Sequence, residues 1–455
     1  MLLKLILGAV KKASEKLTDM KSEIASQESR TSPNGCDTSD IHVGSFNPPL
    51  EHPQLKLVRE KVRYMNEMYT VVAGYNKEAD MRKVVIPDGV IGLERDCFRN
   101  CVSMEEVYIP DSVNFMDGNA FFGCTALRKV RLSPELTEIP FWGFRYCSSL
   151  KEIEMTGKVH RIGFCAFFGS GLERVVLPEG LETIQVSAFS LCHSLAHIEL
   201  PSTLKEIEDS AFESSRSLSS IKLPDGLRSL GERTFWHSGL TGIDIPRRLS
   251  VLKKRTFREC EQLMSVYVPD NISSFEGEVF MGCKSLESVR LPVKLDLDDT
   301  AFDGCTSLKT LTVGKITADV SRAAPDVNVG KLVRFVLYTV RNRRFDIGSG
   351  IDSGIKPIYL TDLAFQLAEQ GIAGAGAYAE QDINKALGYM AELDRPAAFD
   401  RLAEMGAEIS AEQTEHYIQL SIEKERREMY LSLIAYKRER FGFEDSEDTV
   451  NRFEL

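Results

Sequence analysis

The sequence predicts a solenoid of short, stacked parallel β-strands, mainly β with short turns or 3₁₀ segments, followed by a small all-α C-terminal domain. Two observations predict the solenoid: a phenylalanine that recurs every 22 or 23 residues, and a short apolar phrase that follows each one and usually ends in proline. A third observation predicts the helices, since the apolar period changes from two to about 3.6 beyond residue 356.

Ten phenylalanines set the register of the repeat. They are Phe98, Phe121, Phe144, Phe167, Phe189, Phe212, Phe235, Phe257, Phe280 and Phe302. A leucine or its substitute follows each of them five or six residues later, and then an alternating triplet such as Val107-Tyr108-Ile109. Because a unit of this length cannot bury its own apolar face, we expect the units to stack on one another with the phenylalanines as an internal spine.

The alternating triplets predict one strand per unit and one continuous solvent-facing surface. In a strand, successive side chains point to opposite faces, so the polar triplet positions should face outward in two columns. We predict that this surface binds a partner, since solenoids bind through extended surfaces. The predicted binding residues are Tyr108, Lys129, Arg131, Glu152, Glu154, Arg174, His197, Glu199, Lys222, Asp244, Tyr267 and Arg290. An ordinary solvated sheet face is the alternative interpretation of each of them.

The repeat resembles a known family, the BspA-like leucine-rich repeats. Their units follow the pattern L-P-x-x-L-x-x-I-x-x-x-A-F-x-x-C-x-x-L-x-x-I-x-[LI], and "LPEGLETIQVSAFSLCHSLAHIEL", residues 177–200, matches it at every fixed position. The resemblance covers about residues 70–316, with departures at Gly157, at "FFGSGL" and "FWHSGL", and before Phe302. It implies a leucine-rich repeat solenoid that acts as a recognition scaffold without chemistry. Members of the family are often bacterial surface proteins.

The cysteines and histidines indicate no catalytic or metal site. Seven of the ten cysteines stand three residues after a repeat phenylalanine, and serine takes the same place in three other units. This pattern favours a small buried side chain. His193 and His197 lie in a turn and a strand, where a spacing of four does not align two ligands. No hydrolase, zincin or phosphate-loop motif is present in the sequence, so we predict no cofactor, no metal and no enzymatic activity.

Both ends of an open solenoid need caps. "MYTVVAGYNKEADMRKVVIP", residues 68–87, predicts a capping hairpin, and the alternating "VRFVLYTVRNRRF", residues 333–345, predicts a closing strand. Its arginines, Arg334, Arg341, Arg343 and Arg344, are expected to pair locally, since an acidic segment follows directly, and a phosphate-binding patch is the alternative. Thr361, Asp382 and Ser410 are predicted helix N-caps, with Gly371, Gly406 and Gly442 as stops. The expected organisation is an N-terminal amphipathic segment and linker at 1–54, a solenoid with its cap at 55–316, a cap or linker at 317–355, and helices with an acidic tail at 356–455.

The charge distribution does not favour nucleic acid as a partner, and the hydropathy pattern does not favour a membrane-spanning helix. The net charge is −11, and residues 361–455 account for −10 of it with 20 acidic and 10 basic residues, so no strongly basic domain exists. No run of 18 apolar residues occurs. Lys4 interrupts the apolar N-terminus and no cleavage site follows, so an amphipathic helix or a weak surface anchor is expected there instead of a signal peptide.

These observations lead to one main functional hypothesis and two alternatives. The main hypothesis is a non-catalytic protein–protein interaction scaffold in the cytoplasm, where so many thiols would stay reduced. In the first alternative, the repeats select the target of an enzymatic or regulatory C-terminal helical domain. In the second, the chain is secreted or surface-bound and acts as an adhesin that binds host components. The identity of the protein partner does not follow from the sequence.

Overall fold

The repeat units fold into a parallel-sheet solenoid, as predicted. The structure, a computed structural model, describes residues 51–61, 68–155, 157–321, 323, 327–345, 355, 357–375, 378, 387–388, 390–391, 394, 396–404 and 409–442. The predicted N-terminal amphipathic segment, Asp382, Gly406 and the acidic tail lie outside the described residues, and so does most of the predicted linker.

The triplets form a sheet of three- and four-residue strands, which we call the front sheet. Its parallel strands are β3 (Lys83–Val85), β5 (Glu106–Tyr108), β7 (Lys129–Arg131), β9 (Glu152–Glu154), β11 (Arg174–Val176), β13 (His197–Glu199), β16 (Gly242–Asp244), β18 (Ser265–Tyr267), β20 (Ser288–Leu291) and β21 (Thr310–Val313), and the antiparallel β22 (Ile316–Asp319) follows them. The hydrogen-bonded ladder is interrupted at residues 220–222, between β13 and β16. Equivalent residues of neighbouring units face each other, for example Arg174 and His197.

Two-residue strands form a second side of the solenoid, which we call the second sheet. They are β4 (Gly92–Leu93), β6 (Phe115–Met116), β8 (Glu138–Ile139), β10 (Arg161–Ile162), β12 (Thr183–Ile184), β14 (Glu206–Ile207), β15 (Ser229–Leu230), β17 (Val251–Leu252) and β19 (Ser274–Phe275). The second residue of each strand is buried and, apart from the buried Gly92 of β4, the first is more exposed, so each unit contributes one apolar residue from this side to the core.

The repeat phenylalanines form the predicted spine. All ten are fully buried, and consecutive rings stack with centroids 5.1–5.6 Å apart and planes within 3–15° of parallel. The backbone is held at the same place, because the N–H of each phenylalanine from Phe98 to Phe280 donates to a carbonyl of the next unit at 2.8–3.0 Å. The turns around the phenylalanines, the third side of the solenoid, therefore carry their own hydrogen-bond ladder.

The N-terminal cap is a hairpin, but its first strand is not the one predicted. β2 (Met68–Tyr75) pairs antiparallel with β1 (Leu55–Lys61), which precedes it, whereas β3 joins the front sheet. The prediction of a hairpin within residues 68–87 was therefore wrong. Tyr75 stacks on Phe98 with ring centroids 6.2 Å apart, so the cap extends the aromatic spine.

The predicted closing strand at 333–345 is instead a helix, α1 (Val329–Asn342). Asn328 caps its start by accepting a hydrogen bond from the Lys331 backbone at 2.8 Å. The helix packs directly on the last repeat: a Cβ at Gly330 would stand 1.7 Å from the Asp299 carbonyl oxygen, and Arg334 pairs with the Asp299 carboxylate at 2.7 Å. Arg334 thus makes a local ion pair, but its partner lies in the last repeat and not in the acidic segment on which the prediction rested.

The second helix, α2 (Pro357–Glu369), covers the last edge of the front sheet with two glutamine side chains. Gln370, just after the helix, accepts from the Thr317 N–H at 2.9 Å and donates to the Thr317 carbonyl at 2.7 Å. Gln366 accepts from the Asp319 N–H at 2.7 Å and donates to the Asp319 carbonyl at 3.0 Å. Each amide thereby makes the two hydrogen bonds that a neighbouring strand would make to β22.

Three further helices form a separate small core. They are α3 (Pro396–Glu404), α4 (Ala411–Glu423) and α5 (Arg427–Phe441). Their core includes Phe399, Tyr417 and Leu433, whereas the buried residues of α2 belong to the core of the solenoid. The solenoid core therefore extends at least to Tyr378, and the small core begins by Leu387.

The helix boundaries partly follow the predicted signals. Ser410 caps α4 in a reciprocal capping box with Gln413, and Gly442 ends α5 with a φ of 69°, as the sequence predicted. Gly371 follows the end of α2 with a φ of 78°, also as predicted. The prediction for Thr361 was wrong, since α2 begins four residues earlier at Pro357, a residue suited to the first helical turn.

Candidate functional site

The solvent-facing side chains of the front sheet form a continuous surface, which we call the front face. In most strands the middle residue is buried and the two outer residues are exposed, so the predicted two columns exist. Registered pairing places equivalent residues of successive units side by side. The front face carries all twelve residues predicted to bind a partner, namely Tyr108, Lys129, Arg131, Glu152, Glu154, Arg174, His197, Glu199, Lys222, Asp244, Tyr267 and Arg290. Their role in binding stays a prediction.

In the N-terminal half of the front face, several charges pair across neighbouring units. Arg174 and His197 both reach the carboxylate of Glu199 at 2.9 Å. The hydrogen bond from His197 and the charge of Arg174 lower the pKa of Glu199. The ammonium of Lys83 lies 3.6 Å from Glu106. The predicted residues Lys129, Glu152 and Glu154 take part in none of the ion pairs that the described structure contains.

Arg131 is the most constrained side chain of this half. Its guanidinium lies 4.8 Å from the centre of the Tyr108 ring, donates to the Ile109 carbonyl at 2.8 Å and pairs with Asp111 at 2.5 Å. Three partners therefore hold one guanidinium flat against the sheet.

The C-terminal half of the front face, residues 220–222, 242–244, 265–267, 288–290 and 310–312, is built differently. Its first column holds the small residues Ser220, Gly242, Ser265, Ser288 and Thr310. The second column holds Lys222, Asp244, Tyr267 and Arg290, all exposed. Within the described structure, Arg290 stacks on Tyr267 at 5.0 Å, while Lys222 and Asp244 form no ion pair. This half therefore exposes charged groups above a floor of small side chains.

The sequence reasoning missed a second cluster, on the turn side of the solenoid. Four aromatic rings surround the guanidinium of Arg145: Phe168 at 4.5 Å, Tyr146 at 4.8 Å, Trp142 at 5.3 Å and Phe122 at 6.0 Å. The signal was present, since the residue after each spine phenylalanine alternates as Arg99, Phe122, Arg145 and Phe168 in the first four units.

The main role of this cluster is to pack neighbouring units against each other. The Nε atoms of Arg145 and Trp142 are buried and have no hydrogen-bond partner in the described structure. Stacking on the rings compensates the guanidinium in place of a carboxylate. Glycines make room for the neighbouring rings, since a Cβ at Gly118 would stand 2.0 Å from the Phe141 ring.

The recurrent cysteine position of the repeat is explained by more than small size. The thiol of Cys192 donates to the Phe167 carbonyl of the preceding unit at 3.1 Å, and the hydroxyl of Ser215 donates to the Phe189 carbonyl at the same distance. The cysteines that make this contact are Cys124, Cys147, Cys192, Cys260, Cys283 and Cys305. Cysteine and Ser215 can occupy the same place because both are small hydrogen-bond donors, whereas Ser170 and Ser238 contact the sulfurs of Cys192 and Cys260.

The same thiols are chemically quiet. Burial raises the pKa of Cys192 and of Cys260 to about 12, so both stay protonated at neutral pH. The nine cysteines of the described residues are buried and unpaired. His193 donates from Nδ1 to the Ser214 carbonyl at 2.9 Å, and His197 bonds to Glu199, so the two histidines face different groups. In the described part of the chain, no three potential ligand residues are grouped as a metal would require.

The fold and the front face define the class of this protein: it is a repeat-built solenoid of the leucine-rich repeat kind. The family model described as BspA type leucine rich repeat region matches it in six copies, over residues 73–196 and 182–309, which together span just over half of the chain. The chain therefore belongs to the BspA type leucine-rich repeat family, as the resemblance of its units predicted.

Solved structures of similar fold come from bacteria. A leucine-rich repeat protein from Bacteroides ovatus is 23% identical with a TM-score of 0.44, and the match covers 55% of this chain and 79% of that one. A leucine rich cell surface protein from Faecalibacterium prausnitzii is 22% identical with a TM-score of 0.28, covering 54% and 90%. The pneumococcal vaccine antigen PcpA is 16% identical with a TM-score of 0.34, covering 58% and 80%. No curated protein matches the chain.

Proposed function

We propose that the protein is a non-catalytic scaffold that binds a partner protein through the front face. The observation that carries the proposal is the contrast within each strand: the middle residue is fixed in a rigid, stacked core, while the outer residues form an exposed surface with two tyrosine–arginine stacks. Tyrosine and arginine are the residue types that most often anchor protein interfaces. A scaffold of this kind presents many weak contacts in fixed register.

A capture experiment with two matched triple variants tests the proposal. The first, Lys222→Ala/Tyr267→Ala/Arg290→Ala, removes exposed groups from the front face. The second, Lys158→Ala/Arg161→Ala/Lys205→Ala, removes three exposed cations from the second-sheet side, each of which pairs with a glutamate. Proteins captured by the wild type should be lost with the first variant and kept with the second. The proposal fails if the first variant keeps the same partners or if the second loses them.

A second candidate function is that the repeats select targets for a regulatory or enzymatic unit in the C-terminal helices. The separate core of α3, α4 and α5 favours it, because a domain with its own core can act on its own. A chain that ends at residue 378 keeps α1, α2 and Tyr378 on the solenoid and removes the small helical core. Unchanged partner capture by this shorter chain supports the scaffold, whereas loss of a measurable activity supports the second candidate.

We propose a cytoplasmic location, with a secreted or surface adhesin as the alternative. The support is the set of unpaired thiols, which is the usual state in a reducing compartment. In the described part of the chain, no helix is long and apolar enough to span a membrane. Fractionation of native cells tests the location: recovery of the chain only outside the cytoplasm overturns it and favours the adhesin.

A further inference from the structure

Two pairs of units carry the same local sequence on the front face. "YIPD" at 108–111 is followed 23 residues after its tyrosine by Arg131, and "YVPD" at 267–270 is followed at the same spacing by Arg290. In both cases the guanidinium lies over the tyrosine ring, at 4.8 and 5.0 Å. The chain thus contains two copies of one arrangement, which can be compared directly.

The two copies differ in what else the arginine contacts. Arg131 is engaged by Asp111 and by the Ile109 carbonyl. Arg290 makes neither contact, although Asp270 stands where Asp111 stands in the first copy, and in the described structure its side chain forms no ion pair or hydrogen bond besides the stack on Tyr267. The stack orients the guanidinium of this exposed side chain and leaves its N–H groups without a protein acceptor. A planar, pre-oriented guanidinium is suited to a carboxylate, which it can bind with two parallel hydrogen bonds.

The charge around Arg290 points the same way. Five other exposed cations surround this half of the face, none of which forms an ion pair in the described structure: Lys222, Arg247, Arg248, Lys294 and Lys315. The carboxylates there without an ion pair are Asp225, Asp244, Asp270 and Asp319. With Arg290, six cations against four carboxylates give this half a local charge of +2, in a chain whose net charge is −11. Such a surface attracts an acidic partner.

The floor of this half admits an extended chain. The first column is made of small side chains, and a Cβ added at Gly242 would have no atom within 4 Å. A peptide lying across the strands can therefore approach the backbone here, between the small column and the taller Lys222, Tyr267 and Arg290.

We infer that the C-terminal half of the front face binds an extended, carboxylate-rich segment of a partner protein, with Arg290 and Lys222 as its anchors. The inference rests on the proposed function and names the chemistry of its partner. Aspartate or glutamate side chains of the segment accept from the Arg290 guanidinium and the Lys222 ammonium, while its backbone lies over the small column.

A labelled synthetic peptide of alternating glutamate and glycine, added to the full chain at low salt, tests the inference by fluorescence anisotropy. Its control peptide replaces each glutamate with glutamine. The wild type should bind the acidic peptide and not the control, and binding should weaken as salt is added. Arg290→Ala and Lys222→Ala should each weaken it about tenfold, as expected for one charge-assisted hydrogen bond. Arg131→Ala should weaken it less than about threefold, and Arg161→Ala, on the second-sheet side, should not change it.

Three results would overturn the inference. One is equal binding of the two peptides, and another is an effect of Arg131→Ala as large as that of Arg290→Ala. The third is a severalfold gain in affinity when residues 443–455 are removed, because the acidic end of this chain would then be the occupant. If the acidic peptide does not bind but the front-face triple variant still loses its captured partners, the inference fails and the proposed function stands.

Discussion

The phenylalanine spine and the front face lie on the same units but follow opposite rules. In the spine, ten units carry the same residue, in the same burial and nearly the same ring geometry. On the front face, the equivalent positions hold glutamate, lysine, arginine, histidine, serine, glycine and threonine in turn. The comparison teaches that stacking determines which residues recur in every unit. The positions that stacking does not constrain are those at which units can differ in function.

The largest expected effect comes from the spine. Phe212→Ala should lower the free energy of unfolding by about 3–5 kcal/mol, because it leaves a cavity between two stacked rings that cannot collapse independently. Tyr267→Ala removes a ring of similar size from the front face, where the tyrosine is 43% exposed, and should change stability by less than about 1 kcal/mol. Urea unfolding followed by circular dichroism measures both. Equal losses in the two variants would contradict the distinction between spine and face.

Glycine substitutions in the interior and on the front face should differ in their effect on stability, but by less than the spine and face variants do. A Cβ at Gly171 would stand 2.1 Å from the Ser148 carbonyl oxygen, a backbone atom that the stack holds in place. Gly171→Ala should therefore cost about 1–3 kcal/mol. Gly242→Ala is the control on the front face, where the added methyl meets no atom within 4 Å, and it should be neutral or slightly stabilising. Thermal unfolding of the two variants checks the order, and a larger loss at Gly242 would refute it.

The smallest expected effect concerns the buried thiols and depends on pH. The pKa of Cys192 rises from its ordinary 9.0 to about 12 because burial disfavours the thiolate. The folded chain thus keeps this proton at a pH where the unfolded chain has lost it. The stabilisation is complete below about pH 9 and is lost as the pH rises toward 12.

Cys192→Ser and Cys192→Ala sharpen this prediction. Serine keeps a donor for the Phe167 carbonyl, as Ser215 does for Phe189, but does not titrate. We expect Cys192→Ser to lose stability less steeply than the wild type between pH 9 and 11, and Cys192→Ala to be about 1 kcal/mol less stable than the serine variant at neutral pH. An unchanged alkaline slope in the serine variant would show that Cys192 is not protected from titration.

Most of the solenoid was predictable because one local pattern recurs ten times along the chain. The spine, the strands and the outward columns all follow from the period and the two-residue alternation. The donor role of Cys192 was not predictable from its small size alone, because the acceptor is a carbonyl 25 residues earlier. The contrast between Arg131 and Arg290 is also a matter of three-dimensional contacts, since the two local sequences are nearly the same.

The two ends were predicted least well because each occurs once. The stretch from Val333 to Phe345 fits a strand by alternation, but Leu332, Val333, Phe335 and Val336 also form one helical face, and the cap at Asn328 decides for the helix. At the other end, residues 55–61 and 68–75 both alternate between apolar and polar residues. Only the three-dimensional contacts show that residues 68–75 pair with the strand before them.

The glutamine amides bound to β22 end the hydrogen-bonded ladder of the front sheet. A stack of parallel strands has no internal reason to end, since every strand leaves donors and acceptors for one more. Because Gln366 and Gln370 meet both the N–H and the carbonyl of Asp319 and Thr317, a strand from a neighbouring molecule finds those groups already occupied. Two side chains thus close the last edge of the front sheet, where a strand of another molecule would otherwise pair.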